Sequence, residues 1–248
     1  MKRSADFDKW VRCFDRPASG RLRLLCFHHA GGSATAFRSW PVALRPDVEL
    51  WSIQLPGRED RLREPPFVRL EPLVQALVEV LAPRLVVPYA FFGHSMGALV
   101  GFELARALRR RHQPLPACVC VSSFRAPCLP GSDPPIHALP DAEFIEELGR
   151  FDNDSERTLQ HEELRQLLLP ALRADFAVCE SYIHAADVPL DCPILAFGGQ
   201  ADPRVSREDL DGWRELTSRT FQLTLFPGKH FYLNTAQESL LSALNQTL

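Results

Sequence analysis

The 248-residue sequence lacks the features that mark membrane and secreted proteins. Its apolar runs are all too short to span a membrane. Residues 1–15 mix charges with single aromatics and contain no apolar core, which predicts that no signal peptide is present. The seven cysteines form no C-x-x-C pair, and their odd number predicts reduced thiols. Together these absences predict a cytoplasmic protein.

A large excess of charge of either sign is also missing. The chain has 28 Lys and Arg against 31 Asp and Glu, a formal net charge of −3, which argues against a nucleic-acid binder. The adjacent His28 and His29 point apart and have no cysteine or carboxylate cluster beside them, so we expect no metal site. Because 46% of the residues are hydrophobic and 24% charged, the length and composition predict one large α/β domain over residues 1–248.

Short apolar segments alternate with helical patterns along most of the chain. Strands are predicted at six of these segments: Leu22–Phe27, Val48–Gln54, Tyr89–Phe92, Cys118–Val121, Ile194–Phe197 and Phe221–Phe226. Helices are predicted between and after them, at Leu70–Leu81, at Ala98–Arg109 and from about Thr235 to Leu244. Strands that alternate with helices indicate a mostly parallel sheet that is covered on both faces.

The segment Gly93-His94-Ser95-Met96-Gly97 has the spacing G-x-S-x-G between a predicted strand and a predicted helix. This is the context of a nucleophile elbow, a sharp turn that exposes a serine at the edge of the sheet. The turn forces the serine into a sparsely populated backbone conformation at a cost of about 1–3 kcal/mol, and glycine avoids side-chain collisions on both sides. The alternative is a glycine-rich turn with a solvated serine; the strand and the apolar helix around the motif favour Ser95 as a nucleophile.

A serine nucleophile needs a base and an acid, and this kind of fold takes both from later in the chain. His230 is the histidine that follows the last plausible acid, and it comes shortly after a predicted strand. Its neutral imidazole can take the Ser95 proton and return it to the leaving group. Asp202 also follows a strand and is the preferred acid, whose role is to hold the histidine tautomer. Asp133, in a proline-rich loop, is the alternative acid.

An oxyanion hole needs two backbone N–H groups near the nucleophile. One is expected from Met96, the residue after the serine, and the other from Ala30 in the loop after the first predicted strand. Gly31 and Gly32 in that loop would let the backbone approach the substrate, so we assign them to substrate binding. Phe231, next to the candidate base, is assigned to substrate binding as well.

About seventy residues between the fourth and fifth predicted strands show no strand pattern. After a proline-rich stretch, helical patterns start near Asp141 and run from about Glu162 to Ile183, and Pro170 is expected to bend or restart the second helix. The insertion is too long for a loop, and ligands bind beyond the carboxyl ends of the strands, where it must emerge. We therefore expect residues 126–190 to form a mobile helical lid over the active site, rather than a decoration that only stabilises the domain.

Six motifs occur in the order found in one known family: CFHHAGGSA, LPGRE, FGHSMGA, LLPALRADF, FGGQAD and PGKHFYL. With them the sequence resembles, over nearly its whole length, the type II thioesterases, stand-alone α/β-hydrolases that accompany polyketide, nonribosomal peptide or fatty acid synthases. The resemblance implies an acyl thioester substrate on the phosphopantetheine arm of an acyl or peptidyl carrier protein, and no cofactor of the enzyme's own. Ser95 would take the acyl group and water would release it, which frees misprimed carriers. Lys229, where the family often has glycine, is a departure at the pocket rim.

Carrier proteins are usually acidic, and the chain itself has a net charge of −3, so docking requires a local basic patch. Arg58, Arg61, Arg63 and Arg125 lie near the expected opening of the site, and we predict that they form this patch. The alternative is that these arginines are solvated, or that Arg58 pairs with an acid beside it in the chain. We expect a monomer that binds neither nucleic acid nor membranes.

Three other functions share parts of this pattern. A general carboxylesterase or lipase would use the same triad on oxygen esters. A release or acyltransfer domain would pass the acyl group to an internal nucleophile, and the absence of a fused carrier domain in this chain disfavours it. A non-enzymatic scaffold that binds acyl ligands is disfavoured because Ser95, Asp202 and His230 are all present.

Overall fold

The computed structural model describes residues 5–14, 20–86, 88–131, 134–150 and 159–248. In this part of the chain, one sheet contains β1 Val11–Arg12, β2 Leu22–Phe27, β3 Val48–Ile53, β4 Tyr89–His94, β5 Val119–Ser122, β6 Ile194–Gly199 and β7 Phe221–Phe226. Their order is β1-β3-β2-β4-β5-β6-β7, and neighbours are parallel except for β1, which is antiparallel to β3. The six predicted strands and the mostly parallel sheet are confirmed. The two-residue β1 was not predicted, because so short a strand leaves no periodic pattern.

Helices connect the strands as the alternation predicts. They are α1 Ala5–Trp10, α2 Leu70–Leu81, α3 Met96–Arg110, α4 Asp141–Gly149, α5 Glu162–Glu180, α6 Arg207–Asp211, α7 Tyr232–Thr235 and α8 Gln237–Thr247. Short 3₁₀ helices lie at Ala34–Phe37, Trp40–Val42, Glu59–Arg61, Ala82–Arg84 and Gly212–Leu216. Among the described residues, no helix has both the length and the apolar composition needed to cross a membrane.

Alternate residues of the central strands enter two apolar cores, one on each face of the sheet. Leu25 and Phe27 of β2 pack in the core that contains α2 and α3, whereas Leu24 and Cys26 pack in the core that contains α8 and Trp40. Every residue of β4 is buried, as expected for a central parallel strand covered on both sides. Since both faces are covered, the loops beyond the carboxyl ends of the strands are the place for a site.

The long insertion is helical, as predicted, and its two described helices share an apolar cluster of their own. Phe144 and Leu148 of α4 pack with Leu169 of α5 in this cluster. Pro170 does not restart the second helix, because α5 is a single helix from Glu162 to Glu180 with Pro170 inside it. The buried residues around the proline explain this result: packing holds the helix although Pro170 cannot donate a backbone hydrogen bond.

Candidate active site

Ser95 lies at the sharp turn between β4 and α3, where the sequence places the nucleophile elbow. Its backbone has φ 54° and ψ −121°, a conformation that a residue with a side chain adopts only when its surroundings enforce it. The flanking glycines explain how the turn closes. A Cβ atom at Gly93 would lie 2.0 Å from the Gly97 carbonyl oxygen, and one at Gly97 would lie 2.1 Å from the Phe27 carbonyl oxygen. The elbow thus fits tightly against both the strand before it and the end of β2.

His230 and Asp202 form a buried pair beyond the ends of β7 and β6. His230 Nδ1 lies 2.9 Å from Asp202 Oδ2, and the two side chains are 4% and 0% exposed. Asp202 Oδ1 accepts a second hydrogen bond, 3.0 Å long, from the N–H of Arg204. Burial raises the pKa of the Asp202 carboxyl, but hydrogen bonding and charge interaction with His230, together with the Arg204 N–H, outweigh burial and lower this pKa overall.

An ionised Asp202 can only accept hydrogen bonds, so it selects the His230 tautomer with its proton on Nδ1. The lone pair of Nε2 can then act as the base. The alternative acid, Asp133, lies outside the described residues. Of the two candidate acids, Asp202 is therefore the one for which the structure records a hydrogen bond to the candidate base.

Ser95 and His230 both line one cavity of about 650 Å³. Ala30 and Phe231 line it as well, so four of the residues that the sequence singles out meet at one place. The remaining wall is mainly apolar and comes largely from the insertion; it includes Phe124, Leu129, Ile136, Leu148, Leu172 and Phe176. A cavity of this size and lining is typical of a site for a small apolar ligand or an acyl chain.

The two predicted oxyanion donors belong to two different segments of the chain. Met96 is the first residue of α3, and Ala30 belongs to the turn that follows β2. In this turn the Gly32 N–H donates to the His29 carbonyl at 2.9 Å, and Gly31 has φ +74°. These features match a type II turn, in which the third residue needs a positive φ.

Gly31 and Gly32, for which substrate-binding roles are predicted, are not among the described residues that line the cavity. The Gly31 N–H donates to Asp175 Oδ2 of α5 at 2.7 Å, and the Gly32 carbonyl accepts from Arg58 Nη1 at 3.0 Å. A Cβ atom at Gly31 would lie 2.6 Å from Leu172 Cδ1. Both glycines therefore serve close contacts with the protein itself.

Two of the four arginines predicted to dock a carrier are buried. Arg58 is 6% exposed and forms a two-pronged ion pair with Asp175, with nitrogen–oxygen distances of 2.7 and 2.9 Å. Arg61 is 4% exposed; it pairs with Glu64 at 2.6 Å and lies over the Trp10 ring at 4.3 Å. The prediction is wrong for both arginines, because their fork-shaped side chains are already engaged by internal partners.

Arg63 and Arg125 keep the predicted docking role open. Arg63 is exposed, and Arg125 is half-buried, lines the cavity and donates to the Pro130 carbonyl. Asp175 is the functional candidate that the sequence reasoning missed. The available signal was a carboxylate within an apolar stretch of a helix, a position where a charge needs a partner.

His94, the neighbour of the nucleophile, is packed in the elbow as its position suggests. It is 0% exposed, its Nδ1 lies 2.9 Å from Ser122 Oγ, and Ser122 Oγ lies 2.7 Å from the Tyr232 hydroxyl. Burial lowers the pKa of His94 well below its ordinary value, and the charges of His230 and His29 lower it further. His94 therefore stays neutral and does not compete with His230 for the proton.

An elbow serine, an aspartate and a histidine after β4, β6 and β7 of a mostly parallel sheet are the arrangement of an α/β-hydrolase. The chain matches the thioesterase domain family over residues 22–248. The chain belongs to this thioesterase family, whose members are hydrolases that act on thioesters.

Individual relatives agree with this family over almost the entire chain. The gramicidin S biosynthesis protein GrsT of Aneurinibacillus migulanus is 41% identical over 241 residues, which cover 97% of this chain and 94% of GrsT. RedJ, a thioesterase of the prodiginine biosynthetic pathway in Streptomyces coelicolor, has a solved structure that covers 94% of this chain and 88% of its own, with 40% identity and a TM-score of 0.86. The type II thioesterase BorB, from the borrelidin biosynthetic cluster, has 35% identity and a TM-score of 0.87 over 100% of this chain and 99% of its own. The predicted fold and family are confirmed.

Proposed function

We propose that this thioesterase removes acyl groups from the phosphopantetheine arm of acyl or peptidyl carrier proteins in a biosynthetic synthase, and so frees carriers that hold the wrong acyl group. The observation that carries the proposal is the strained Ser95, which lines, together with His230, a mainly apolar cavity whose wall comes largely from the insertion. The contexts of GrsT and BorB, gramicidin S and borrelidin biosynthesis, support a substrate of this class.

The proposed reaction begins with attack of Ser95 Oγ on the thioester carbonyl carbon, while His230 Nε2 takes the hydroxyl proton. Asp202 stabilises the imidazolium that forms, and the N–H groups of Ala30 and Met96 hydrogen-bond the oxygen that becomes negative. The C–S bond then breaks, and His230 returns the proton to the pantetheine sulfur. This leaves the acyl group on Ser95 as an ester.

Water completes the proposed cycle. His230 removes a proton from a water molecule, which attacks the acyl–serine ester from the cavity. When the second tetrahedral intermediate collapses, His230 protonates Ser95 Oγ and the free carboxylic acid leaves. A thiol ionises near pH 8.5, so its thiolate is a much better leaving group than an alkoxide, and the first step suits thioesters.

The main alternative function is that of a carboxylesterase. A direct comparison of thioester and oxygen-ester substrates distinguishes a thioesterase from a carboxylesterase. We expect kcat/KM to be higher for an acyl-carrier or acyl-pantetheine thioester than for an oxygen ester with the same acyl chain. Labelling with an alkyl fluorophosphonate, followed by intact mass measurement, should add one phosphonyl group to the wild type and none to Ser95→Ala. A preference for the oxygen ester would favour the carboxylesterase.

The insertion at residues 126–190 is proposed as the lid of this site. Leu148 of α4 and both Leu172 and Phe176 of α5 face the cavity, which supports a covering role. Amide hydrogen exchange measures its motion: exchange in α4 should be faster than in α3 and should slow when a phosphonate occupies Ser95. Equal protection of both helices, unchanged by the phosphonate, would contradict a gating role.

The carrier, the oligomeric state and the location complete the proposal. We retain a monomeric cytoplasmic enzyme that docks its carrier near Arg63 and Arg125. Reversing the charge of Arg63, which is exposed and is not among the described residues that line the cavity, should raise the KM for an acyl-carrier substrate, more so at low salt, and leave the KM for a small acyl-pantetheine thioester unchanged. An equal effect on both substrates would place the docking surface elsewhere.

A further inference from the structure

We propose that Arg58 and Asp175, which we call the clamp, position the oxyanion loop, residues 29–32, so that the Ala30 N–H points to the reacting carbonyl. The clamp makes α5 the fixed part of the insertion, a support of the catalytic machinery as well as a wall of the cavity, and leaves the proposed gating motion to the part that contains α4. This inference rests on the proposed acyl-enzyme reaction of Ser95. It assigns a positioning role to two residues that do not line the cavity.

The clamp holds the loop backbone by two groups that face opposite ways. Asp175 Oδ2 accepts from the Gly31 N–H at 2.7 Å, and Arg58 Nη1 donates to the Gly32 carbonyl at 3.0 Å. The same Asp175 oxygen accepts from Arg58 Nη1 at 2.7 Å, and Oδ1 accepts from Arg58 Nη2 at 2.9 Å. Arg58 Nε is held in turn by the Pro56 carbonyl at 3.2 Å. One donor and one acceptor of the loop are therefore fixed by a single rigid unit.

Burial makes these bonds strong and specific. The Arg58 and Asp175 side chains are 7% and 3% exposed, so water competes little for their hydrogen bonds. An arginine fork binds a carboxylate through two parallel bonds, which fixes orientation as well as distance. The clamp thus defines where the backbone of the oxyanion loop lies relative to α5.

The turn geometry explains why the loop needs such support. In the turn that starts at His29, Ala30 and Gly31 are the two central residues, and the φ of +74° at Gly31 matches type II. Types I and II differ mainly in the direction of the peptide between these residues. Because the Gly31 N–H belongs to that peptide, its bond to Asp175 holds the type II form. The peptide that carries the Ala30 N–H has the His29 carbonyl, which accepts from Gly32 at 2.9 Å in the same turn. Fixing the turn therefore preorganises the Ala30 N–H before the substrate arrives, which is what an oxyanion donor requires.

Charge provides a second reason for pairing the two residues. A lone carboxylate beside this loop would oppose the negative charge that develops on the substrate oxygen. The guanidinium of Arg58 cancels the Asp175 charge while leaving its oxygen free to accept from Gly31. The pair therefore orients the loop without adding a net charge next to the oxyanion hole.

The test is the double variant Arg58→Met/Asp175→Leu, because replacing a buried ion pair by apolar residues of similar size commonly preserves stability. The matched control is Arg23→Met/Glu49→Leu, which removes a half-buried pair, 3.1 Å long, from the other end of β2 and β3. Kinetics with an acyl-pantetheine thioester and the rate of phosphonylation by an alkyl fluorophosphonate are measured for both, together with thermal unfolding.

In the clamp variant we expect kcat and the phosphonylation rate to fall by about 10- to 100-fold, since a displaced oxyanion donor stabilises the transition state poorly. The KM should change little, because neither Arg58 nor Asp175 is among the described residues that line the cavity. The control variant should keep the wild-type kcat, KM and phosphonylation rate. A folded clamp variant with wild-type kcat, a KM effect without a kcat effect, or an equal loss in the control would overturn the inference.

If the clamp variant does not fold, Asp175→Asn takes its place. The amide has one acceptor oxygen for the Gly31 and Arg58 donors that two carboxylate oxygens serve, so kcat should fall by a smaller factor at constant KM. Wild-type kcat in this variant would then overturn the inference. Failure of the proposed function itself is distinct: without acyl-enzyme chemistry the wild type would not be labelled at Ser95, and a carboxylesterase would be labelled but would prefer the oxygen ester.

Discussion

Two buried carboxylates, those of Asp202 and Asp175, lie near the cavity, and their different partners give them different roles. Asp202 contacts His230 at 2.9 Å, whereas Asp175 contacts Arg58 at 2.7 Å, and all four side chains are almost fully buried. Histidine gains and loses a proton near neutral pH, so its pair can move a proton during a reaction. Arginine stays charged in proteins, so its pair can only hold a position. The chemistry of the partner, rather than the geometry of the pair, therefore decides what a buried carboxylate does.

The largest loss of activity should come from substitutions of Ser95 and His230, between which the proton moves. Ser95→Ala and His230→Ala should each lower kcat by about 10⁶-fold, because the members of such a triad act as a unit. The double variant should lose little more. Steady-state kinetics on a thioester, with circular dichroism to verify folding, measures this. Losses that multiply in the double variant would mean that the two residues do not share a step.

Asp202→Asn tests the carboxylate of the same pair. The amide no longer selects the His230 tautomer with its proton on Nδ1, so kcat should fall by about 10⁴-fold while the fold survives. Asp133→Asn is the matched control and should have nearly wild-type kcat. The opposite ranking of the two variants would move the acid to position 133.

Arg58→Ala tests the Arg58–Asp175 pair, to which we assign a positioning role. It leaves the Asp175 charge buried without its partner, which should lower the free energy of unfolding by about 3–5 kcal/mol. Arg173 and Asp141 form a more exposed pair between α5 and α4, 2.6 Å long, and Asp141→Asn should cost about 0–1 kcal/mol. Urea unfolding followed by fluorescence measures both. Equal costs would show that the clamp is accessible to water in solution.

The smallest effect concerns acid stability and tests the carboxylate of Asp202. The pKa of Asp202 is lower in the folded protein than its ordinary value, so its ionised form stabilises the fold above the unfolded pKa of about 3.9. This stabilisation is lost as the pH falls through the folded pKa. Asp202→Asn should therefore lose less stability than the wild type between neutral pH and this acid range. An unchanged acid limb of the stability curve would contradict the assigned direction.

Much of the fold could be predicted because buried parallel strands have a recognisable sequence pattern. Both faces of β2 and β4 are covered, so their sequences are nearly continuous apolar runs, and the observed bounds differ from the predicted ones by two residues at most. The elbow was equally visible, since the close approaches at Gly93 and Gly97 require glycine and fix the spacing around Ser95. These features depend on neighbours along the chain.

The clamp could not be predicted because it depends on residues that are far apart along the chain. Arg58 and Asp175 are 117 positions apart, and a sequence shows that a residue is charged but not whether it is buried. Arg61 is a second example, since its contact with Trp10 depends on how α1 packs against the sheet. For the same reason Gly31 was assigned to the substrate, although its N–H bonds to the distant Asp175 and its φ of +74° is what favours glycine there.

The long separation within the clamp also constrains how the chain folds. A ribosome releases Arg58 well before Asp175, and until α5 emerges the guanidinium has no carboxylate with which it can be buried beside residues 29–32. The loop after β2 must therefore remain hydrated while β4 and β5 are being made, even though its own strand is already available to pair. Contacts over such distances close slowly because of the chain entropy they cost. Docking of α5 is thus expected as a late folding event, and a chain truncated before residue 175 should leave residues 29–32 without the bonds that hold them.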